Sequence, residues 1–175
     1  MKQLESGGFL SVRDVSGEIP KKKFLITYLL TLFGISAWIT VIGAAPYYIS
    51  RGSILGPFFY SLFAPVCHQI PSRSFYLFGH PLAVCGRCLG IYAGFFLGSI
   101  CYPLIGDFLS ARLPRRALLI AMSIPIVLDT VGNMLRVWSS PNVIRFLMGL
   151  SWGAVLPFYF IPAVASIKWR KGGRT

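Results

Sequence analysis

The chain has 175 residues, of which 55% are hydrophobic and 13% are charged, and its mean hydropathy is +0.67. Soluble domains carry about 25% charged residues, so this composition argues against a soluble domain and indicates a lipid-facing protein. At about 20 residues for each span, the chain has room for four membrane crossings and short loops. The net charge is +12, but no basic stripe interleaved with aromatic residues accompanies it, which argues against nucleic acid as a partner.

Long apolar segments separated by polar turns predict the membrane spans. We interpret residues 1–20 as a short cytoplasmic tail, because the apolar run that follows is too long for the core of a signal peptide. In chain order, the predicted spans cover about residues 24–45, 85–105, 117–138 and 143–166. They predict one membrane domain over residues 21–168, followed by a basic cytoplasmic tail at 169–175.

A shorter apolar run follows the first span. Residues 54–66 are too few to cross a bilayer, and Pro57 and Pro65 bracket them. Runs of this length are typical of re-entrant or interfacial segments, so we expect a short helix that lies against the bundle. It leads into a Cys/His loop at residues 65–92, which contains three of the four cysteines and both histidines.

Glycines recur at every fourth residue of the second span, at positions 86, 90, 94 and 98. This spacing puts small residues on one helical face, where another helix can approach closely. We expect these glycines to serve packing rather than chemistry.

The basic residues predict the orientation. Cytoplasmic loops of membrane proteins carry an excess of lysine and arginine. Twelve of the 17 basic residues fall on the side of the two termini: Lys2, Arg13, Lys21, Lys22, Lys23, Arg112, Arg115, Arg116, Lys168, Arg170, Lys171 and Arg174. We therefore expect a multi-pass protein of the cell (plasma) membrane with both termini in the cytoplasm and the Cys/His loop on the outer face.

The Cys/His loop predicts a metal site. Cys67 and His68 are adjacent, and the two-residue spacer of Cys85-Gly86-Arg87-Cys88 allows both sulfurs to face one ion. Three thiolates and one imidazole form a common tetrahedral ligand set for zinc. His80, before Pro81, is either a solvated loop histidine or an alternative ligand to His68. Four protein ligands would close the site and favour a structural metal, whereas three would leave a position for catalysis.

Two other interpretations of the same cysteines stay open. Cys88 lies where a helix begins, and a helix N-terminus with a neighbouring arginine stabilises a thiolate, as in thiol–disulfide oxidoreductases. A bridge from Cys67 to Cys85 or Cys88 would instead simply brace an extracytoplasmic loop. Cys85, Cys88 and Asp129 are the candidate catalytic residues if the site is an enzyme.

A polar face is predicted on the third span. Asp129, Asn133 and Arg136 follow helical spacing, and Asp129 lies nine residues, roughly 14 Å, inward from Trp138. A carboxylate at that depth is expensive, so it is functional or paired with an arginine. Together with residues of the loop and of the fourth span, it predicts an outer polar pocket in which Asp129 and Arg136 form a buried charged part: Arg73, Arg87, Tyr92, Asp129, Asn133, Arg136, Asn142 and Arg145.

Several fixed cations over a buried acid suit an anionic headgroup, a phosphate or a carboxylate, or equally surround a metal. Asn142 is also placed to cap the fourth span.

Four segments carry a family resemblance: CHQIPSRSF, VCGRCLGIYAG, PIVLDTVGNMLR and NVIRFLMGLSWG. They resemble the domain-of-unknown-function 2085 family of small prokaryotic integral membrane proteins, over about residues 58–165. Asn133 stands where the pattern has glutamine, and Pro141 stands where it has threonine. The family has no established activity, so the resemblance strengthens the identity of the site and does not choose between zinc and a disulfide.

The sequence thus predicts an all-α membrane protein with four transmembrane helices plus a short re-entrant or interfacial helix. The leading hypothesis is a metal site, with zinc held by Cys67, His68, Cys85 and Cys88. The alternatives are a membrane thiol–disulfide oxidoreductase that uses Cys85 and Cys88, and a small lipid- or ion-handling protein that uses the Asp129/Arg136 pocket. The expected partners are the lipid bilayer and an anionic lipid or a quinone.

Overall fold

A computed structural model of the chain describes residues 21–105 and 116–166. The predicted terminal tails and the loop arginines Arg112 and Arg115 lie outside this part of the chain. The described elements are α1 (Lys21–Ser50), α2 (Leu55–Phe63), β1 (Tyr76–Leu77), β2 (His80–Pro81), α3 (Gly86–Ile105), α4 (Arg116–Met134), α5 (Asn142–Val155) and α6 (Pro157–Ser166).

Four helical stretches are long and apolar enough to cross a membrane: Lys21–Ser50, Gly86–Leu104, Ala117–Met134 and Asn142–Ser166. The last stretch comprises α5 and α6, which are separated at Leu156 because Pro157 has no N–H to continue the helical hydrogen bonds. The predicted all-α fold with four spans is confirmed, and α2 is the predicted short helix.

The ends of two spans differ from the prediction. α1 was expected to end near residue 45 but continues to Ser50, and Pro46 lies buried within it. A membrane helix tolerates an internal proline because neighbouring groups compensate for the missing hydrogen bond. α4 was expected to reach residue 138 but ends at Met134. Beyond it, Arg136 has a φ of 59°, and the Val137 N–H donates to the Gly132 carbonyl at 3.0 Å. This is the hydrogen bond of a Schellman motif, which terminates the helix.

The closest helix pair is α3 with α5, and glycines on both helices make it possible. A Cβ atom on Gly90 or Gly94 would overlap backbone atoms of α5 at Phe146 and Leu150. Gly149 and Gly153 of α5 face the backbone of α3 in the same way. The predicted packing role of the α3 glycines is confirmed. The matching glycines of α5, Gly149 and Gly153, are also four residues apart, so their packing role could have been predicted from the sequence in the same way.

The bundle has two ends with separate cores. We call the end at which α1 and α4 finish and α3 and α5 begin the loop end. Its core contains Phe63 of α2, Ile42 and Ala45 of α1, and Ala83 and Val84 of the loop. A second core lies at the other end: Phe24, Tyr28, Tyr102, Ile161 and Ala165.

A short hairpin folds the chain back at the loop end. β1 and β2 pair antiparallel, with Tyr76 opposite Pro81 and Leu77 opposite His80. Phe78 and Gly79 between them both have positive φ, at 53° and 78°. Positive φ at both central residues is the geometry of a type I′ turn, which matches the twist of a two-stranded hairpin. The hairpin returns the chain to Cys85.

Hydroxyl side chains within the spans bond to their own helices. In α1, the Thr27, Thr31 and Ser36 hydroxyls donate to the carbonyl four residues earlier, at 3.0, 2.8 and 2.7 Å. Ser99 of α3 and Ser123 of α4 do the same, at 2.7 and 2.8 Å. These donors are therefore satisfied without water or a neighbouring helix.

The glycine contact predicts a selective loss of stability. We expect Gly94→Ala to lower the free energy of unfolding by about 1–3 kcal/mol, because the new methyl group would overlap the Leu150 carbonyl and force the helices apart. Gly43→Ala is the matched control, since a Cβ there meets no atom within 4 Å. Thermal unfolding in detergent measures both variants, and equal midpoints would contradict the packing role.

Candidate metal centre and polar cavity

Three cysteines meet at the loop end. Cys67 is buried just after α2, Cys85 immediately precedes α3, and Cys88 lies in its first turn. Their sulfur atoms all lie within 4.8 Å of one another. Zinc–sulfur bonds of about 2.3 Å place tetrahedral thiolates about 3.8 Å apart, so the cluster is close to the size that a metal requires. The donor set also fits zinc chemically, because thiolates are among its preferred ligands.

The surroundings of the cysteine cluster favour a thiolate at Cys85. The Cys85 N–H donates to the Cys67 sulfur at 3.2 Å, and the Leu89 N–H closes the first turn of α3 onto the Cys85 carbonyl at 2.9 Å. Hydrogen bonds from the Cys67 and Cys88 thiols hold the pKa of the Cys85 thiol well below its ordinary value. A thiolate is the form that binds metals or attacks disulfides.

Gln69 holds the loop in place, and sequence reasoning missed it. Its side-chain amide donates to the carbonyls of Tyr60 and Ala83, at 2.6 and 2.9 Å. These bonds tie the loop after α2 to the segment before α3, and so bring Cys67 to Cys85. Gln69 itself has a φ of 50°, a left-handed conformation that few non-glycine residues adopt. The sequence feature that could have pointed to Gln69 was its position directly after Cys67 and His68 in the CHQ segment.

The two histidines occupy different places. His68 is exposed and lines the same cavity as the three cysteines, although its imidazole lies outside the group of mutually close sulfurs. His80 is half-buried in β2, paired with Leu77. His80 is not among the residues that line the cavity, so His68 is the better placed of the two candidates.

Asp129 is buried and forms an ion pair with Arg87 of α3. Helical spacing put Arg136 on the same face as Asp129, and the sequence left open which arginine pairs with the carboxylate. The predicted face does not extend to Arg136, because α4 ends at Met134 and Arg136 lies in the left-handed turn beyond it. Since the helix ends early, Asp129 lies five residues, about 7.5 Å, from its end rather than roughly 14 Å from Trp138.

A hydrogen-bond network extends from this ion pair toward α5. The Asn133 amide donates to an Asp129 carboxylate oxygen at 3.0 Å, and Ser140 donates its hydroxyl to the same oxygen. Arg145 of α5 is 6% exposed and donates to the Asn133 side-chain oxygen at 2.7 Å. The network thus connects three helices through side chains, and Ser140 is a member that sequence reasoning missed.

Two residues of the predicted pocket have other roles. Asn142 does not cap α5, whose cap position is occupied by Pro141. Its amide instead donates to the Ser74 carbonyl at 3.2 Å, which ties α5 to the Cys/His loop. Tyr92 lies one helical turn beyond Cys88 and packs under the cysteines, where it lines an apolar cleft of about 540 Å³ between α1, α3 and α6.

Two adjoining cavities bring the remaining residues together. One, of about 600 Å³, is lined by the three cysteines, His68 and Arg87, and the other, of about 700 Å³, by Trp138, Ser140 and Asn142. Both are also lined by four of the residues predicted for the polar pocket: Arg73, Asn133, Arg136 and Arg145. The sulfur cluster therefore adjoins a cavity rich in arginine.

The Arg87–Asp129 pair predicts a large mutational effect. Asp129→Leu should lower the free energy of unfolding by about 3–5 kcal/mol, because it leaves the partly buried Arg87 without its counter-ion. The double variant Arg87→Met/Asp129→Leu should recover most of that loss, since it removes both charges. Chemical unfolding in detergent measures the three proteins, and a double variant as unstable as Asp129→Leu would contradict the pairing.

Comparisons with known proteins agree with this architecture. The family model described as predicted membrane protein (DUF2085) matches residues 67–159. An uncharacterized protein of Methanocaldococcus jannaschii is 33% identical over 150 residues, which cover 82% of this chain and 96% of that protein. An uncharacterized protein of Methanothermobacter thermautotrophicus is 34% identical over 93 residues, or 52% of this chain and 80% of that protein.

No solved structure matches the chain. The family model begins at Cys67 and extends through α3, α4 and α5 into α6, so it includes every residue of the cysteine cluster and of the ion-pair network. The chain belongs to the DUF2085 family of predicted membrane proteins.

Proposed function

We propose that the protein is a metal-binding membrane protein, in which zinc is held by the thiolates of Cys67, Cys85 and Cys88 and by the imidazole of His68. The mutual distance of the three sulfurs, at most 4.8 Å, carries the proposal. Such a cluster of three thiols is more than a single disulfide uses, whereas a tetrahedral metal uses all three.

The surroundings of the cysteines support the same proposal. The N–H of Cys85 donates to the Cys67 sulfur, and hydrogen bonds of this kind orient a ligand and tune its charge. With four protein ligands no coordination position would be open, so the metal would act structurally. It would fasten the loop after α2 to the first turn of α3.

The rival function is thiol–disulfide exchange through Cys85 and Cys88. The low pKa of Cys85 suits it, because a thiolate is the attacking species. Metal binding and disulfide exchange make opposite demands on the cysteines: a metal keeps all three reduced, and an oxidoreductase cycles two of them. Counting free thiols therefore separates the two functions.

We propose further that the loop end faces the outside of the plasma membrane. The five arginines of the loop end are outnumbered by the twelve basic residues that the sequence has in or next to the two termini and in the segment between α3 and α4. Cytoplasmic segments carry such an excess. The metal would then be bound at the outer surface of the cell.

The metal site predicts a defined zinc content. Elemental analysis of the full chain purified in detergent should give about one zinc per chain, with all four thiols recovered after the metal is removed. Cys88→Ser should lose most of the zinc. Cys101→Ser is the matched control, since Cys101 lies in α3 outside the cluster and its loss should leave the zinc content unchanged. Absence of metal, with thiols missing in pairs, would establish the disulfide instead.

The fourth ligand is testable with cobalt. Cobalt(II) at a site of three thiolates and one imidazole gives an intense visible spectrum that depends on every ligand. His68→Asn should shift this spectrum and weaken metal binding, whereas His80→Asn should leave both unchanged. An unchanged spectrum in His68→Asn would mean that the fourth position is open to water, and the site would then be suited to catalysis.

The orientation predicts the location of fused reporters. A reporter fused after Thr175 should be active in the cytoplasm, and one fused after Gly52, directly beyond α1, should be active outside the cell. The reverse pattern would overturn the proposed orientation of every helix.

A further inference from the structure

The loop end holds more positive charge than its own residues neutralise. Residues 21–105 and 116–166 contain a single acidic residue, Asp129, and its carboxylate pairs with Arg87. The other four acidic residues of the chain lie outside the described segments: Glu5, Asp14, Glu18 and Asp107. Arg73, Arg136 and Arg145 therefore line the two cavities without a carboxylate partner among the described residues.

Arg145 shows most directly that a counter-ion is needed. It is 6% exposed, and its guanidinium donates to the side-chain oxygens of Asn133 at 2.7 Å and Asn142 at 3.5 Å. Both acceptors are neutral amides, so they satisfy hydrogen bonds without balancing the charge. A buried cation within a membrane span is expensive unless it is paired. An anion from outside the chain would pair with it.

Arg136 is held where glycine would be more favourable. It occupies the left-handed position of the Schellman motif after α4, with a φ of 59°. That position usually carries glycine, because a side chain is strained there. Strained residues of this kind concentrate at ligand sites, where the surrounding structure holds them in place. In this conformation, Arg136 lines both cavities together with Arg73 and Arg145.

Hydrogen-bond donors outnumber acceptors among the side chains of these cavities. Arg87 also lines the smaller cavity, and its buried Nε is the one buried side-chain nitrogen or oxygen in the described residues without a hydrogen-bond partner. Three uncompensated guanidiniums and a spare donor call for a ligand with several acceptor oxygens and more than one negative charge. A phosphate monoester has three such oxygens and a charge of about −1.5 to −2, whereas a carboxylate has two oxygens and a single charge.

We propose that Arg73, Arg136 and Arg145 bind a phosphoryl group where the two adjoining cavities of the loop end share these arginines. Arginine is suited to this ligand because its planar fork donates two parallel hydrogen bonds to phosphate oxygens. The loop end lies at the ends of the spans, at the depth of lipid headgroups, so the phosphoryl group comes either from a lipid headgroup or from free phosphate in solution. The groups proposed to bind the phosphoryl oxygens are guanidiniums, and none of the cysteines is among them.

Native mass spectrometry of the full chain in a non-ionic detergent tests the proposal. Phosphatidic acid is the probe, because its headgroup is a phosphate monoester, and phosphatidylcholine is the reference lipid. We expect phosphatidic acid to bind more tightly than phosphatidylcholine. Arg136→Gly should weaken phosphatidic acid binding about ten- to hundredfold, the usual value of a hydrogen bond to a charged group. Because glycine suits the left-handed position, this variant should unfold at no lower temperature than the unmodified chain.

A control variant and a second readout separate this site from other effects. Arg51→Gln removes the same charge at the same end of the bundle, from an exposed side chain that stacks over Tyr47, and should leave binding unchanged. Equal losses of phosphatidic acid binding in Arg51→Gln and Arg136→Gly would mean that surface charge alone attracts the lipid. That result would overturn the proposed site. Zinc content is measured on the same preparations as a separate readout, so a failure of the proposed metal site would be seen independently of phosphatidic acid binding.

Competition identifies the source of the phosphoryl group. If millimolar inorganic phosphate displaces phosphatidic acid from the unmodified chain but not from Arg136→Gly, free phosphate occupies the site. If it does not, while binding still depends on Arg136, the ligand is a lipid headgroup. Two results would overturn the proposal. One is that phosphatidic acid binds no tighter than phosphatidylcholine and that inorganic phosphate does not raise the unfolding temperature. The other is that succinate, a dicarboxylate, stabilises the chain more than phosphate does.

Discussion

The close contact between α3 and α5 is the constraint on which the loop end depends. It requires glycine on both helices, since a single methyl group at Gly90, Gly94, Gly149 or Gly153 would overlap backbone atoms of the partner. The contact continues to the first turn of α3, where Gly149 faces the Arg87 carbonyl. It therefore brings the helix that carries Cys88 and Arg87 against the helix that carries Arg145. Lipid chains are as apolar as leucine, so packing of this kind replaces the hydrophobic effect in holding membrane helices together.

The electrostatics of the loop end follow from the scarcity of acidic side chains among the described residues. One carboxylate, Asp129, serves as the centre of a network that includes Arg87, Asn133 and Ser140. The ion pair joins α3 to α4, and Asn133 extends the network to Arg145 of α5. Amides rather than carboxylates therefore hold the second arginine. This arrangement orders Arg145 and leaves it without a carboxylate partner among the described residues.

The sequence was sufficient for the parts of the fold that follow simple periodicity. The four spans, the short helix after α1 and the packing role of the α3 glycines were all predicted, because apolar length and small-residue spacing report directly on helices in lipid. The approach of Cys67 to Cys85 and Cys88 was also expected from their spacing. The hairpin at Tyr76–Pro81 was not, since a two-residue strand leaves no periodic signal.

The partner of Asp129 could not be predicted from the sequence, for a physical reason. Helical spacing put Asp129 and Arg136 on one face without naming the partner of Asp129, and such a face exists only if α4 continues past residue 136. A glycine usually marks the left-handed end of a helix, but here an arginine occupies the position, so the usual signal was missing. Gln69 was overlooked in the same way, because its role depends on carbonyls of Tyr60 and Ala83, far from it in the chain.

The serine and threonine hydroxyls within the spans have a consequence for how polarity is distributed. Each of these side chains is counted as polar by a hydropathy scale, yet its proton is directed to a carbonyl of its own helix. Such a residue presents no free hydrogen-bond donor, so the middle of the bundle is less polar than its composition suggests. Between helices, the Trp152 Nε1 donates to the Ser123 hydroxyl at 2.8 Å within the spans, whereas the ion-pair network and the cysteine cluster lie at the loop end. An ion or a headgroup that approached the loop end would therefore meet the three cysteines and the arginines of the cavity at one place.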